Sequence, residues 1–202
     1  MKKRFIGLNG RPIKGEDPLV LLDSGTIIDL EENLRKTGLP QDSAGLLLYA
    51  NPNTYVIVPG VLNELKSHSS MRINGKVREL EPSTIDVCDT LAQRTQEMIE
   101  CLKSNTSIDW DTIGYDVWLA SQVAFEEGHK KREQDIISSV DREIITTAFY
   151  MAQAKPEIDE RGRVTITSPD THIRNTTNLL NKQERYIYKV EYHSPRGRKF
   201  KQ

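Results

Sequence analysis

Short apolar runs alternate with helix-like segments along most of this chain, and acids recur where the two meet. Leu19-Val20-Leu21-Leu22 is unbroken and apolar enough to read as a strand buried on both faces, and Asp23 closes it. A helix is expected from about Asp29 to Thr37. A further apolar run, residues 45–50, precedes a turn signal at Asn51-Pro52-Asn53. Tyr55-Val56-Ile57-Val58 reads as a second strand, followed by a helix opened by Pro59 with Glu64 one turn inside it. Residues 68–80 are polar and rich in basic side chains, which predicts a mobile loop or a small hairpin next to Glu64.

Pro82-Ser83 starts a long helical pattern with Ile85, Cys88, Leu91, Ala92, Ile99 and Leu102 on one face. A second helix follows over about 109–127, striped by Ile113, Val117, Ala120, Val123 and Ala124 and stopped by Gly128. The spacing predicts an antiparallel pair whose stripes are core or, alternatively, a dimer or partner surface. Residues 141–153 form another strongly helical segment behind Ser138 and Ser139. Val164-Thr165-Ile166-Thr167 is again strand-like, and after Ser168-Pro169 comes Asp170 with a helix over 171–181. Tyr186, Tyr188, Val190 and Tyr192 repeat with a period of two, predicting a last strand at the sheet edge. Residues 1–17 are a polar lead-in bearing Gly and Pro.

This order implies an α/β chain with a central parallel sheet. In such a sheet the carboxyl ends of the strands and the following helix starts share one edge, so Asp23, Glu64, Asp141 and Asp170 can converge in one crevice. Two carboxylates about 4 Å apart at an effective dielectric of about 20 repel by roughly 4 kcal/mol, so the cluster requires cations or protons. Hard oxygen donors without thiols or a His triad suit Mg²⁺ or Mn²⁺ and point to phosphoryl chemistry, with a hydrolytic nuclease as the natural reading. Each acid also has a purely structural reading. Asp170 fits the N-cap of its helix, Asp141 the capping-box partner of Ser138, Glu64 a solvated helix residue and Asp23 a turn residue ahead of Gly25.

Four blocks of the chain resemble the PIN-domain nucleases: residues 21–28 with Asp23 ending the first strand before Ser24, residues 58–65 with Glu64, residues 138–148 with Asp141, and residues 164–175 with Asp170. The resemblance implies a three-layer α/β/α sandwich around a central parallel sheet, and cleavage of RNA with Mg²⁺ or Mn²⁺. It makes Asp23, Asp141 and Asp170 direct or water-mediated metal ligands. Glu64 holds a second ion or orients the attacking water. In-line attack would leave a 5′-phosphate and a 3′-hydroxyl. Ser24 and Thr167 would support the ligands, and Arg174, one turn after Asp170, would hold a phosphate with His172 at the pocket rim. The chain departs from compact family members between Glu64 and Asp141, where the helical pair lies in an insertion of about residues 69–136.

Composition alters this picture little. At 202 residues a single domain is expected, and 28 Lys plus Arg against 29 Asp plus Glu advertise no polyanion partner globally. Locally, Arg72, Lys76 and Arg78 with Lys130, Lys131 and Arg132 can line a groove for a phosphate backbone, and residues 182–202 carry seven basic residues against two acidic ones. Solvated helix ends and a frayed tail explain the same charges. Cys88 and Cys101 fall on one predicted helix about 20 Å apart, too far to bridge. No run approaches the roughly 18 apolar residues of a membrane span, and the start lacks the core of a signal peptide, so a cytoplasmic protein without membrane contact is expected. The expected function is a metal-dependent endoribonuclease with RNA as partner. The alternatives are a toxin-like component held by an antitoxin or other protein regulator, and a catalytically silent RNA-binding PIN module; a homo-oligomer is open.

Overall fold

A computed structural model describes residues 18–38, 44, 45, 48, 54–67, 70–73, 76–127, 137–158 and 163–195. The apolar run that follows Pro18 forms β1 (Leu19–Leu22), and its lack of alternation has a simple cause: β1 is an interior strand whose Leu19, Leu21 and Leu22 are all buried. It pairs in parallel with β2 (Thr54–Val56) on one side and with β5 (Val164–Thr167) on the other, and β5 pairs in parallel with β6 (Val190–His193). The sheet order is therefore β2-β1-β5-β6, all parallel.

Helix α1 (Ser24–Lys36) begins directly after β1 and not at Asp29 as the pattern predicts. The reason is local: the Asp23 carbonyl accepts the N–H groups of Thr26 and Ile27 and so opens the helix at once. Strand β2 is shorter than expected. Ile57 and Val58 stay buried but leave the ladder, and the Ile57 N–H donates to Thr95 Oγ1 at 3.3 Å instead. Helix α2 (Pro59–Ser67) starts at the proline, as its fixed φ favours. Of the loop or hairpin expected over 68–80, the described residues give two strands, β3 (Ser70–Ile73) antiparallel to β4 (Lys76–Glu79), as a separate two-stranded sheet.

The two helices expected to pair after the hairpin do not pack on each other. Helix α3 (Pro82–Asn105) packs on α2, on β2 and on α5 (Ser139–Ile158), whereas α4 (Trp110–Glu127) packs on α5 and on α6 (Thr171–Asn181); contact between α3 and α4 is at most incidental. Both helices instead use α5 as their wall. That helix is buried without interruption from Ile144 to Ala152, and Trp110 of α4 meets Tyr150 edge-to-face at 5.0 Å. Of the expected stripe of α3, Cys88, Leu91, Ala92, Ile99 and Leu102 are buried and Ile85 is half-buried against the core. In α4, Ile113, Val117, Ala120 and Ala124 are buried but Val123 is exposed.

The last strand is also shorter than its alternation suggests. Only residues from Val190 onward join the sheet; Tyr186 turns into the core, edge-to-face with Phe149 at 5.0 Å, while Ile187 and Tyr188 face outward. The Asn181 side chain brackets the strand start, donating to the Val190 carbonyl at 2.7 Å and accepting from its N–H at 3.0 Å. Among the described residues, the six helices above and a four-stranded parallel sheet thus make an α/β fold, compatible with a three-layer sandwich. No described helix is long and apolar enough to cross a membrane. Cys88 and Cys101 are both free thiols on α3, and burial pushes the Cys88 thiol up to about 12, with a smaller push from the Glu31 carboxylate. Residues 1–17, Lys130, Lys131, Arg132 and the basic tail over 196–202 lie outside the described residues, as do the side chains of Arg72, Lys76 and Arg78.

Candidate functional site at the carboxyl end of the sheet

The chain leaves β1 toward β2 on one side, while β5 on the other side leads away to β6. The connections at the carboxyl ends of β1 and β5 therefore diverge, which makes this the switch point at which open α/β sheets carry their binding crevice. Leu22 pairs with Thr167, so the next residues, Asp23 and Ser168, emerge side by side. Both remain tied to the ladder: Asp23 N–H donates to the Thr167 carbonyl at 3.2 Å and Ser168 N–H to the His193 carbonyl at 3.1 Å. The backbone thus fixes two side chains that are 145 positions apart in sequence.

Asp23 is only 7% exposed. Ser168 Oγ, fully buried, donates to its Oδ2 at 2.8 Å and accepts the Asp170 N–H at 2.9 Å, so one hydroxyl joins two of the acids. Ser24 Oγ lies 2.8 Å from Glu64 Oε2 and 3.2 Å from Asp23 Oδ1. Its single proton serves one at a time, and the shorter contact favours Glu64. Ser24 thereby lies between Asp23 and Glu64, and it links α2 to the end of β1. Thr167 contributes through its carbonyl, which accepts Asp23 N–H and Thr26 Oγ1, the latter at 2.7 Å.

The remaining acids sit at helix starts. Asp170 is the N-cap of α6 and accepts the His172 N–H at 2.5 Å. Asp141 and Ser138 form a reciprocal capping box, with Ser138 N–H donating to Asp141 Oδ2 at 3.3 Å and Asp141 N–H to Ser138 Oγ at 3.0 Å. The structural readings of both residues are therefore present as hydrogen bonds, yet each cap engages one carboxylate oxygen and leaves the side chain in reach of its acidic neighbours.

Electrostatics shows that reach. Burial raises the Asp23 carboxyl above its ordinary value, opposed by the hydrogen bonds from Ser168 and Ser24 and reinforced by the Asp170 charge. Burial likewise pushes Asp141 up to about 6; the Ser138 hydroxyl opposes this, and the charges of Asp170 and Asp23 add to it. Tyr192 of β6 feels the same field. Its phenol is raised first by burial, lowered by Arg174, and raised by Asp170 and Asp23. Its hydroxyl also lies 2.9 Å from the Asp170 carbonyl and beside that of Ser168, clamping the turn that carries Asp170.

The Asp170 charge thus reaches both Asp23 and Asp141, and Glu64 is tied to Asp23 through Ser24. Among the described residues, no three His, Cys, Asp or Glu side chains close on one point as a ready metal site. The donor set nevertheless fits a hard cation: it is all oxygen, and two of its carboxyls, Asp23 and Asp141, are raised first by burial and further by the charge of neighbouring acids, which a cation would relieve. Arg174 is exposed on the first turn of α6, with Nε 3.5 Å from Asn175 Oδ1, and His172 is half-buried beside Asp170.

The pattern along the chain did not single out Ser168 or Tyr192. A hydroxyl two positions before an N-cap Asp was the available signal for Ser168; for Tyr192 there was none, since only strand pairing brings β6 beside Asp170. Comparison of the chain with protein-family models, with curated proteins and with solved structures finds no match.

Proposed function

We propose that this chain is a metal-dependent endoribonuclease of the PIN type. The observation that carries the reading is that the Asp170 charge reaches both Asp23 and Asp141 at the switch point of a parallel sheet. Mg²⁺ or Mn²⁺ bound there would supply charge neutralisation and Lewis-acid activation of water for phosphodiester hydrolysis. Asp23, Asp141 and Asp170 are the residues that would hold it, with Glu64 holding a second ion or accepting a hydrogen bond from the attacking water. Ser168 keeps Asp23 and the start of α6 in register, and Ser24 does the same for Asp23 and Glu64. Arg174, exposed one turn beyond Asp170, would orient a phosphate of the RNA strand.

Incubation of mixed RNA with the protein and Mn²⁺, beside Asp23→Asn, tests the reading. Cleavage by the wild-type chain and a loss of at least about 100-fold in the variant, with circular dichroism unchanged, is the expected result. Equal cleavage by both proteins overturns it. One observation favours a second reading, a nucleic-acid-binding module without cleavage: two of the acids are engaged as helix caps and no three close on one point. That reading predicts RNA binding with no Mn²⁺-dependent cleavage by the wild-type chain.

A further inference from the structure

Two of the four acids owe their place to the sheet, and two do not. Asp23 and the turn that leads to Asp170 are held by ladder hydrogen bonds, whereas Glu64 and Asp141 ride on helices α2 and α5. One hydrogen bond joins the starts of those two helices. Glu143 of α5 reaches across to α2, where its Oε2 accepts the Gly60 N–H at 3.1 Å from 83 positions away in sequence.

The contact is built from both sides. Pro59 at the first position of α2 has no N–H, so the Gly60 N–H is the first donor that the helix presents, and a carboxylate there also meets the positive end of the helix dipole. Gly60 in turn is what allows the approach: a Cβ at this position would overlap Glu143 Oε2 and lie 3.1 Å from Val140 Cγ2. Val140 and Glu143 are i, i+3 neighbours on α5, and Gly60 and Glu64 are i, i+4 neighbours on α2. The side of α2 that carries Glu64 is therefore the side docked on α5 beside Asp141. At a rise of about 1.5 Å per residue, Glu64 lies about 6 Å beyond Gly60, so a shift of the helix start is carried to it. Ser24 Oγ, 2.8 Å from Glu64 Oε2, holds the same helix one turn further on, against the end of β1.

We propose that Glu143 is a positioning residue of the acidic site: by binding the Gly60 N–H it fixes the start of α2, and with it Glu64, against the helix that carries Asp141. The proposal rests on the nuclease reading and adds a residue to that site. Glu143 acts through Glu64 and not on the metal or the RNA. A displacement of about 1 Å at a reacting group costs on the order of 100-fold in rate, so a loose α2 start is expected to show in turnover.

Steady-state cleavage of RNA with Mn²⁺ by the full chain, Glu143→Ala and Glu143→Gln, beside urea unfolding of each, tests this. Glutamine keeps the acceptor and the shape of the side chain but not its charge. Glu143→Ala should lower kcat at least about 10-fold with KM for RNA unchanged within about twofold, and Glu143→Gln should keep kcat within about twofold of wild type. Should Glu143→Ala not fold, Glu143→Asp, which withdraws the acceptor by one methylene, carries the same expectation. A residue that only stabilised the fold would move the urea midpoint and leave kcat in buffer where it was, so a wild-type kcat in Glu143→Ala overturns the proposal. A Glu143→Gln variant as slow as Glu143→Ala does so too, since the charge itself would then act on metal or water, and so does a loss confined to KM. These results leave the nuclease reading standing, whereas a wild-type chain that cleaves no RNA with Mn²⁺ overturns that reading and the proposal together.

Discussion

Replacing Asp141 with Asn should stabilise the folded protein at neutral pH while removing RNA cleavage. The carboxyl rises from an ordinary 3.8 to about 6 in the folded state, chiefly through burial, with Asp170 and Asp23 adding repulsion. Because the folded value lies above the unfolded one, the unfolded chain releases the proton first. Stability is then fully present below about 3.8, falls as pH rises toward about 6, and stays reduced above it. At about 1.4 kcal/mol per pH unit, that interval bounds the penalty of the ionised group at about 3 kcal/mol. The site is partly open to solvent, which lowers the realistic figure to about 1–2 kcal/mol. Asparagine keeps an acceptor for the Ser138 N–H, so the capping box survives the change. Urea unfolding of both proteins at about pH 8 and about pH 4 measures the effect: the variant should exceed wild type by about 1–2 kcal/mol at the higher pH and match it at the lower. An equal difference at both pH values would refute the electrostatic account, and a variant less stable than wild type at pH 8 would show that Asp141 serves only as a cap.

Three further outcomes follow from the same site. Millimolar Mn²⁺ should raise the melting temperature through RT ln(1 + [L]/Kd), and Asp23→Asn or Asp170→Asn should shrink that rise; an identical response in all three proteins would remove the metal from the reading. Ser168→Ala strips a buried carboxylate of a donor and leaves the Asp170 N–H without its acceptor, so denaturant unfolding should report a loss of about 2–4 kcal/mol, and a loss under about 0.5 would contradict the bridge. Gly25→Ala would place a Cβ 2.9 Å from Pro169 Cγ, forcing apart the turns that carry Asp23 and Asp170; it should cost about 1–3 kcal/mol, and an unchanged melting temperature would show that Pro169 can yield.

The strands and helices that bear the acids were legible along the chain because their signals are local. An unbroken apolar run marks β1, proline opens α2, and an Asp caps α6 over the residues expected, 171–181. The acids themselves stood out for the same reason, each at the junction of a run and a helix start. What lay beyond reach was every relation between distant segments. Two amphipathic helices in succession looked like a pair, since each needs a cover for its apolar stripe, but α5 offers a more apolar wall to both, and they take opposite neighbours. The alternating tyrosines looked like one strand, yet Tyr186 finds Phe149 and Asp116 inside the core, and the ladder begins only at Val190.

Likewise, sequence alone could nominate Asp23 and Asp170 but not the atom between them. The parallel pairing of Leu22 with Thr167 sets Asp23 beside Ser168, and that register is a property of the sheet. Composition and periodicity determine which segments are strand or helix because those preferences act over a few residues. Which carboxylates repel, which hydroxyl joins them and which helix face stays bare depend on packing between elements, where burial and charge are decided by partners far away in the chain.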